Sequence, residues 1–278
     1  MIGAQALLRT LLASGIDTCF TNPGTSEMHF VAALDEVPGM RAVLTLFEGV
    51  ATGAADGYGR MAGRPAATLL HLGPGLGNGL ANLHNARRAR TPIVNIVGDH
   101  ATGHRVHDAP LHSDIETVAR NVSQWVRTSG SPAEVGTDTT DAIVAALLGA
   151  VATLILPADV SWDEGAAPGP IAATIPRLVI ATEVIDAVAA AHRRGEPIGL
   201  LLGGAALDDD GLAAAARIEA AGVRVFVETF PARLARGAGR PVFERINYFG
   251  EVAVPQLAGL AHLVCCDTGA PVSFFAYP

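Results

Sequence analysis

Apolar positions along this chain fall into short blocks separated by stretches of helical length. The blocks "DTCFT" (17–21), "RAVLTL" (41–46), "AATLLHL" (66–72), "PIVNIVG" (92–98) and "ATLILP" (152–157) are rich in Val, Ile and Leu. Such runs suit strands buried on both faces. Between them lie helix-length segments at 3–14, 26–36, 48–62, 76–89, 114–122 and 138–150. This alternation predicts a parallel sheet covered by helices on both sides. From 158 to 177 the pattern lapses: "ADVSWDEGAAPGPIAATIPR" carries several Pro and Gly and no periodicity, and reads as a linker. The alternation then resumes with a helix at 181–193, a strand at 197–204, a helix near 210–221 ended by Gly222, a strand at 223–229 and a late strand within 262–271. Asp208, Asp209 and Asp210 stand where a helix N-terminus favours acids and caps. The predicted architecture is α/β, with two doubly wound parallel-sheet domains at 1–160 and 178–278 and a linker at 161–177.

In such sheets ligands sit outside the carboxyl ends of the strands. That rule selects "NPGTSE" (22–27), the start of "EGVATG" (48–53), "HLGPGLGNG" (71–79) and "GDHATGH" (98–104). Glu48 is the odd member: it closes an apolar run, where a core is expected, yet it would carry charge. An acid favoured by a helix N-terminus is the plain alternative. His71 ends a strand just before a glycine loop. "GPGLGNG" lacks both the G-x-G-x-x-G spacing of a dinucleotide fingerprint and the G-K-[ST] of a P-loop. A tight turn and a ligand contact both remain open there. Pro23-Gly24 forms a similar turn, with Thr25 or Ser26 able to cap the next helix. His100, His104, His107 and His112 lie close together among Asp99, Asp108 and Asp114. Metal ligands, loop histidines in solvent and pocket-lining roles are all open for them, although no H-E-x-x-H arrangement occurs.

Composition narrows the classes. Half of the 278 residues are hydrophobic and only 17% are charged, enough for a core and unlike a disordered chain. A net charge of −8 disfavours general nucleic-acid binding, and Arg87, Arg88 and Arg90 fit cations at a helix C-terminus. The three cysteines have neither zinc spacing nor a disulfide framework, so no metal site is assigned. With no secretion signal and no apolar run of membrane-spanning length, a soluble cytoplasmic protein that binds no membrane is expected.

Taken together, "FTNPGTSE" (20–27), "LFEGVATGAADGYGRMAGRPA" (46–66), "HLGPGLGNGLANLHNARRARTPIVNIVGD" (71–99) and "ATLILPADV" (152–160) resemble the pyrimidine-binding domain of thiamine diphosphate enzymes. The branch is that of acetolactate synthase and benzoylformate decarboxylase, and 178–278 is similar to its central domain. The resemblance implies a 2-keto acid decarboxylase or carboligase of acetolactate synthase type. It gives Glu48 the task of hydrogen-bonding N1′ of the cofactor's aminopyrimidine, favouring the imino form that takes the thiazolium C2 proton. Asn22, Pro23, Gly24 and Thr25 match the loop beside the pyrimidine. Thr25 falls where a benzoylformate decarboxylase has an active-site Ser, and His71 where it has a catalytic His. Gly73, Pro74, Gly75 and Asn78 match a cofactor-side turn in which Gly77 replaces a Thr. "VHDAPLHSD" (106–114) departs from both the paired histidines of pyruvate decarboxylase and the synthase segment, which leaves the substrate open.

The family's third domain, with G-D-G and a following Asn that hold Mg²⁺ and the diphosphate, has no counterpart here; "GDH" (98–100) is not that motif. The chain therefore reads as part of one about twice as long, inactive alone, with a separate subunit of a split enzyme as the alternative. A homodimer or homotetramer is implied, and FAD in the central domain is left open. Two other readings compete. One is a non-catalytic scaffold or assembly domain of the same fold, which the retained Glu48 disfavours. The other is an NAD-type module, which the glycine spacing disfavours.

Overall fold

The computed structural model describes residues 1–173, 175 and 179–276. The chain divides into two compact units, Met1–Pro176 and Arg177–Pro278. The first unit holds six parallel strands: β1 (Thr18–Asn22), β2 (Arg41–Leu44), β3 (Ala66–Leu70), β4 (Ile93–Asp99), β5 (Trp125–Thr128) and β6 (Val151–Pro157). Their order is β2-β1-β3-β4-β6-β5. Every residue of β3, β4 and β6 is buried, as their unbroken apolar runs require.

Side-chain alternation divides each central strand between two helical layers. Val94, Ile96, Ala152 and Leu154 pack with residues of α1 (Gly3–Ala13), α2 (Met28–Glu36) and α6 (Pro132–Leu147). Ile93, Val97, Val151 and Ile155 pack with α3 (Glu48–Ala62), α4 (Leu72–Arg88) and α5 (Ile115–Arg120). A buried polar row crosses that second face. Thr68 Oγ1 donates to Asn95 Oδ1 at 2.7 Å, and Asn95 Nδ2 donates to Thr153 Oγ1 at 2.9 Å. A one-residue slip would leave these groups unpaired in the core, so the row fixes the register of β3, β4 and β6.

Several details depart from the sequence pattern. The apolar run at 41–46 is not a core strand: β2 is the sheet's edge, with Leu44 68% and Leu46 92% exposed. The glycine turn expected before α4 lies inside the helix, which starts at Leu72. β5 has only four residues and a half-buried pattern, and the sequence pattern did not predict it. The aperiodic stretch after β6 begins with a short helix, α7 (Ala158–Trp162), and is then pinned to the first unit. Ala166 N–H donates to the Met1 carbonyl at 3.0 Å, Gly169 N–H to Thr10 Oγ1 at 2.9 Å and Ala172 N–H to Ser14 Oγ at 3.1 Å.

Gly136 of α6 is what lets this stretch lie so close. A Cβ there would fall 2.2 Å from the Ala167 carbonyl oxygen and 2.5 Å from Gly169 N. Alanine would gain roughly 1 kcal/mol of helix propensity, but overpacking of about 1–3 kcal/mol outweighs it. Gly136→Ala is expected to lower unfolding stability in urea by about 1–2 kcal/mol; a variant at or above wild-type stability would contradict the contact.

The second unit is a smaller parallel sheet of order β10-β7-β8-β9, built from β7 (Ile198–Leu202), β8 (Arg224–Val227), β9 (Glu244–Arg245) and β10 (His262–Cys266). Its helices are α8 (Thr182–Arg193), α9 (Asp209–Ala220) and α10 (Gly250–Leu257). Leu200, Leu202, Leu212, Val225 and Val227 form its core. β9 is a charged two-residue bridge and α10 contains Pro255, so neither carries a readable period. Among the described residues, no helix is long and apolar enough to cross a membrane.

Candidate functional site

The carboxyl ends of β1, β3 and β4 are neighbours in the first sheet, and most of the residues singled out in the sequence stand on them. β1 ends at Asn22, whose Nδ2 donates to the Thr45 carbonyl at 2.7 Å. That bond ties the Pro23-Gly24 turn to the segment leading into α3.

α3 opens on Glu48, only 9% exposed. Its carboxylate turns toward α4, where Oε2 accepts from Asn78 Nδ2 at 2.9 Å. Gly75, in the first turn of α4, makes this approach feasible: a Cβ there would lie 3.1 Å from Glu48 Oε1. Glu48 is therefore more than an acid at a helix N-terminus, since two residues of another helix shape its surroundings.

A second cluster lies beside it. His71 lies between β3 and α4, and its Nδ1 is 2.8 Å from Glu27 Oε2. Gly24 leaves room for the imidazole, because a Cβ there would meet the ring at 2.3 Å. Gly24 N–H donates to the same Glu27 oxygen at 2.7 Å. Glu27 is 3% exposed, and its Oε1 is buried without a hydrogen-bond partner. That oxygen lies against Gly98 at the end of β4, where a Cβ would fall 1.7 Å away. With Nδ1 facing a carboxylate, the His71 ring is held in one orientation.

Burial pushes the Glu27 carboxyl above its ordinary range, while its bonds from Gly24 N–H and His71 pull the other way. A raised folded-state value means that the native state holds the proton more tightly than the unfolded chain. The stability Glu27 contributes is then full below the unfolded value of 4.5 and is lost as pH rises through the raised value. Glu27→Gln, which cannot ionise, is expected to flatten that decline. Urea midpoints of the two proteins compared across pH 4 to 8 test this; parallel curves would refute it.

Of the remaining candidates, Gly73 packs against Ser113, where a Cβ would sit 2.0 Å from Oγ. Pro74 is exposed on the first turn of α4, and Thr25 is exposed at the start of a single 3₁₀ turn, Thr25–Glu27. The structure thus joins Glu48 with Gly75 and Asn78, and His71 with Gly24, Glu27 and Gly98. His100, His104, His107 and His112 form a chain of rings 5.4–6.2 Å apart on the loop after β4. His112 faces Asp108 at 3.2 Å. Among the described residues no three His, Cys, Asp or Glu side chains converge as metal ligands.

Glu27 and Asn82 were missed in the sequence. Asn82 Nδ2 donates to the Gly49 carbonyl at 2.7 Å, joining α4 to the first turn of α3. A signal for Glu27 did exist: Gly24-x-x-Glu27 has the spacing at which a third-position carboxylate bonds back to the N–H before the turn. Beside Glu48, an open groove of about 630 Å³ runs between α3 and α4, lined among others by Phe47, Val50, Ala54, Ala81 and Asn82.

The buried Glu48 carboxylate, with one oxygen close to Gly75, thus stands near the second cluster around Gly24 and His71. Comparison with known proteins places the chain among relatives. Residues 1–120 match the family described as "Thiamine pyrophosphate enzyme, N-terminal TPP binding domain". A protein of Mycobacterium tuberculosis (strain ATCC 25618 / H37Rv), provisionally named acetolactate synthase large subunit IlvX, is 61% identical over 281 residues, covering 100% of this chain and 54% of that protein. Benzoylformate decarboxylase of Pseudomonas aeruginosa is 31% identical over 167 residues, 60% of this chain and 31% of its own length. In fold, the thiamine diphosphate-dependent 4-hydroxybenzoylformate decarboxylase of Rhodococcus jostii RHA1 superposes with a TM-score of 0.83 at 23% identity, over 100% of this chain and 53% of that one. The chain spans about half the length, or less, of these relatives.

Proposed function

We propose that the chain, whose residues 1–120 match the N-terminal TPP binding domain of thiamine pyrophosphate enzymes, supplies the pyrimidine-binding half of a 2-keto acid decarboxylase or carboligase of acetolactate synthase type. The observation that carries this reading is Glu48. It is a buried carboxylate on a helix end, held by Asn78 and left room by Gly75. Bound thiamine diphosphate supplies an electron sink for breaking or making a bond next to a carbonyl.

The chain's own residues do the rest. Glu48 holds a proton at the pyrimidine ring nitrogen, and Asn78 fixes the carboxylate that holds it. Asn22 and Gly24 shape the adjoining turn, and Pro23, Thr25, Gly73 and Pro74 border the same edge. His71, oriented by Glu27, moves a proton at the substrate. Mg²⁺ and the diphosphate would be held by residues other than those of this site. The exposed face around Phe47 and Val50 is the surface through which we place the subunit contact of a homodimer or homotetramer.

The test uses the complete gene product with thiamine diphosphate, Mg²⁺ and a panel of aliphatic and aromatic 2-keto acids. Cofactor-dependent CO₂ release or carboligation is expected with at least one of them. Full thermal stabilisation by the cofactor with no turnover on any would favour a scaffold role.

A further inference from the structure

The second unit is a parallel sheet whose ligand edge is formed by the carboxyl ends of β7, β8 and β10. FAD, the cofactor left open for this unit, would enter through the glycine turn after β7. There the backbone can approach a pyrophosphate and point N–H groups at it. In this chain the turn is Gly203–Gly204, and it is filled from within.

A Cβ on Gly203 would lie 2.7 Å from Glu228 Oε1 and 2.6 Å from Thr268 Cβ, and one on Gly204 would lie 2.1 Å from Asp267 Oδ2. The next backbone N–H, that of Ala205, donates to the same Asp267 oxygen at 2.8 Å. Glu228 Oε2 accepts from Thr268 Oγ1 at 2.9 Å. Gly204 and Asp267 both adopt left-handed backbone, with φ of 46° and 51°, which sets the two turns face to face. The following helix opens on three acids, Asp208, Asp209 and Asp210. Arg240, which reaches that turn, is itself bonded to Asp209, with Nη2 donating to Oδ2 at 3.0 Å.

We infer that Asp267 and Glu228 occupy the anion seat of the second unit as an internal ligand, which excludes a dinucleotide pyrophosphate and with it FAD. The space beside both glycines is taken. The Ala205 N–H is already bonded to Asp267, and a pyrophosphate there would meet the carboxylates of Asp267 and Glu228. In exchange, the carboxylates tie the ends of β7, β8 and β10 together. This inference is independent of the pyrimidine-site reading, because it concerns the other unit and needs no turnover.

Two measurements on the full chain decide it. Titration with FAD and with ADP to about 1 mM is expected to give no binding heat and no flavin fluorescence change. One-to-one binding of either with a Kd below about 100 µM would overturn the inference. In Asp267→Ala, amide hydrogen exchange at Ala205 is expected to speed up about tenfold or more, the loss of one hydrogen bond to a carboxylate, while Asp210→Ala leaves it unchanged. An unaltered Ala205 rate in Asp267→Ala would equally overturn it. The wild-type titration stands even if that variant fails to fold.

Discussion

Glu48→Gln is expected to slow thiamine diphosphate-dependent turnover of a 2-keto acid by about 10²–10³-fold in the complete gene product, with the fold intact. The amide is isosteric and its oxygen can still accept from Asn78 Nδ2, now 2.9 Å from the carboxylate. Packing beside Gly75 is likewise preserved. The variant loses only the ability to take and hold a proton at the cofactor's ring nitrogen. Steady-state kinetics at saturating cofactor, with thermal melts as the control for folding, measure the effect. Wild-type kcat in a folded variant would remove Glu48 from the chemistry.

The second large effect is expected at Gly98. A methyl group there would fall 1.7 Å from Glu27 Oε1, so something must shift. β4 cannot yield, because β3 and β6 pair with it on either side. Glu27 must move, and in moving it gives up both Gly24 N–H and His71 Nδ1. Gly98→Ala is expected to cost about 1–3 kcal/mol of stability and to release the His71 ring from its fixed orientation. Urea unfolding and the histidine NMR signals report the two consequences separately. A variant of wild-type stability with an unchanged His71 signal would show that Glu27 is not seated against Gly98.

Legibility followed the physics of burial. β1, β3, β4 and β6 were readable because burial on two faces demands unbroken apolar runs, and such runs stand out. β2 has the same composition but lies at the sheet edge, and composition cannot say which strand ends a sheet. β5 and β9 are too short to show a period. Gly73, Pro74 and Gly75 read as a turn, yet they open α4. Proline is tolerated in a first helical turn, whose N–H groups lack helical partners. The glycines serve tertiary contacts with Ser113 and Glu48. The strand-end rule led to Glu48 and His71. Glu27 escaped it because its burial depends on Gly98, remote in the chain, and no local pattern announces such a contact. The glycines at 203–204 ended a predicted strand, and only the structure shows that Glu228, Asp267 and Thr268 pack against them.

In the proposed function the Glu48 carboxylate acts on the pyrimidine ring of thiamine diphosphate. The most direct test of that action is the exchange of the bound cofactor's C2 hydrogen for deuterium, followed by proton NMR in wild type and Glu48→Gln without substrate. Exchange about 10²–10³-fold slower is expected in the variant; equal rates in two folded, cofactor-saturated proteins would take Glu48 off the pyrimidine ring.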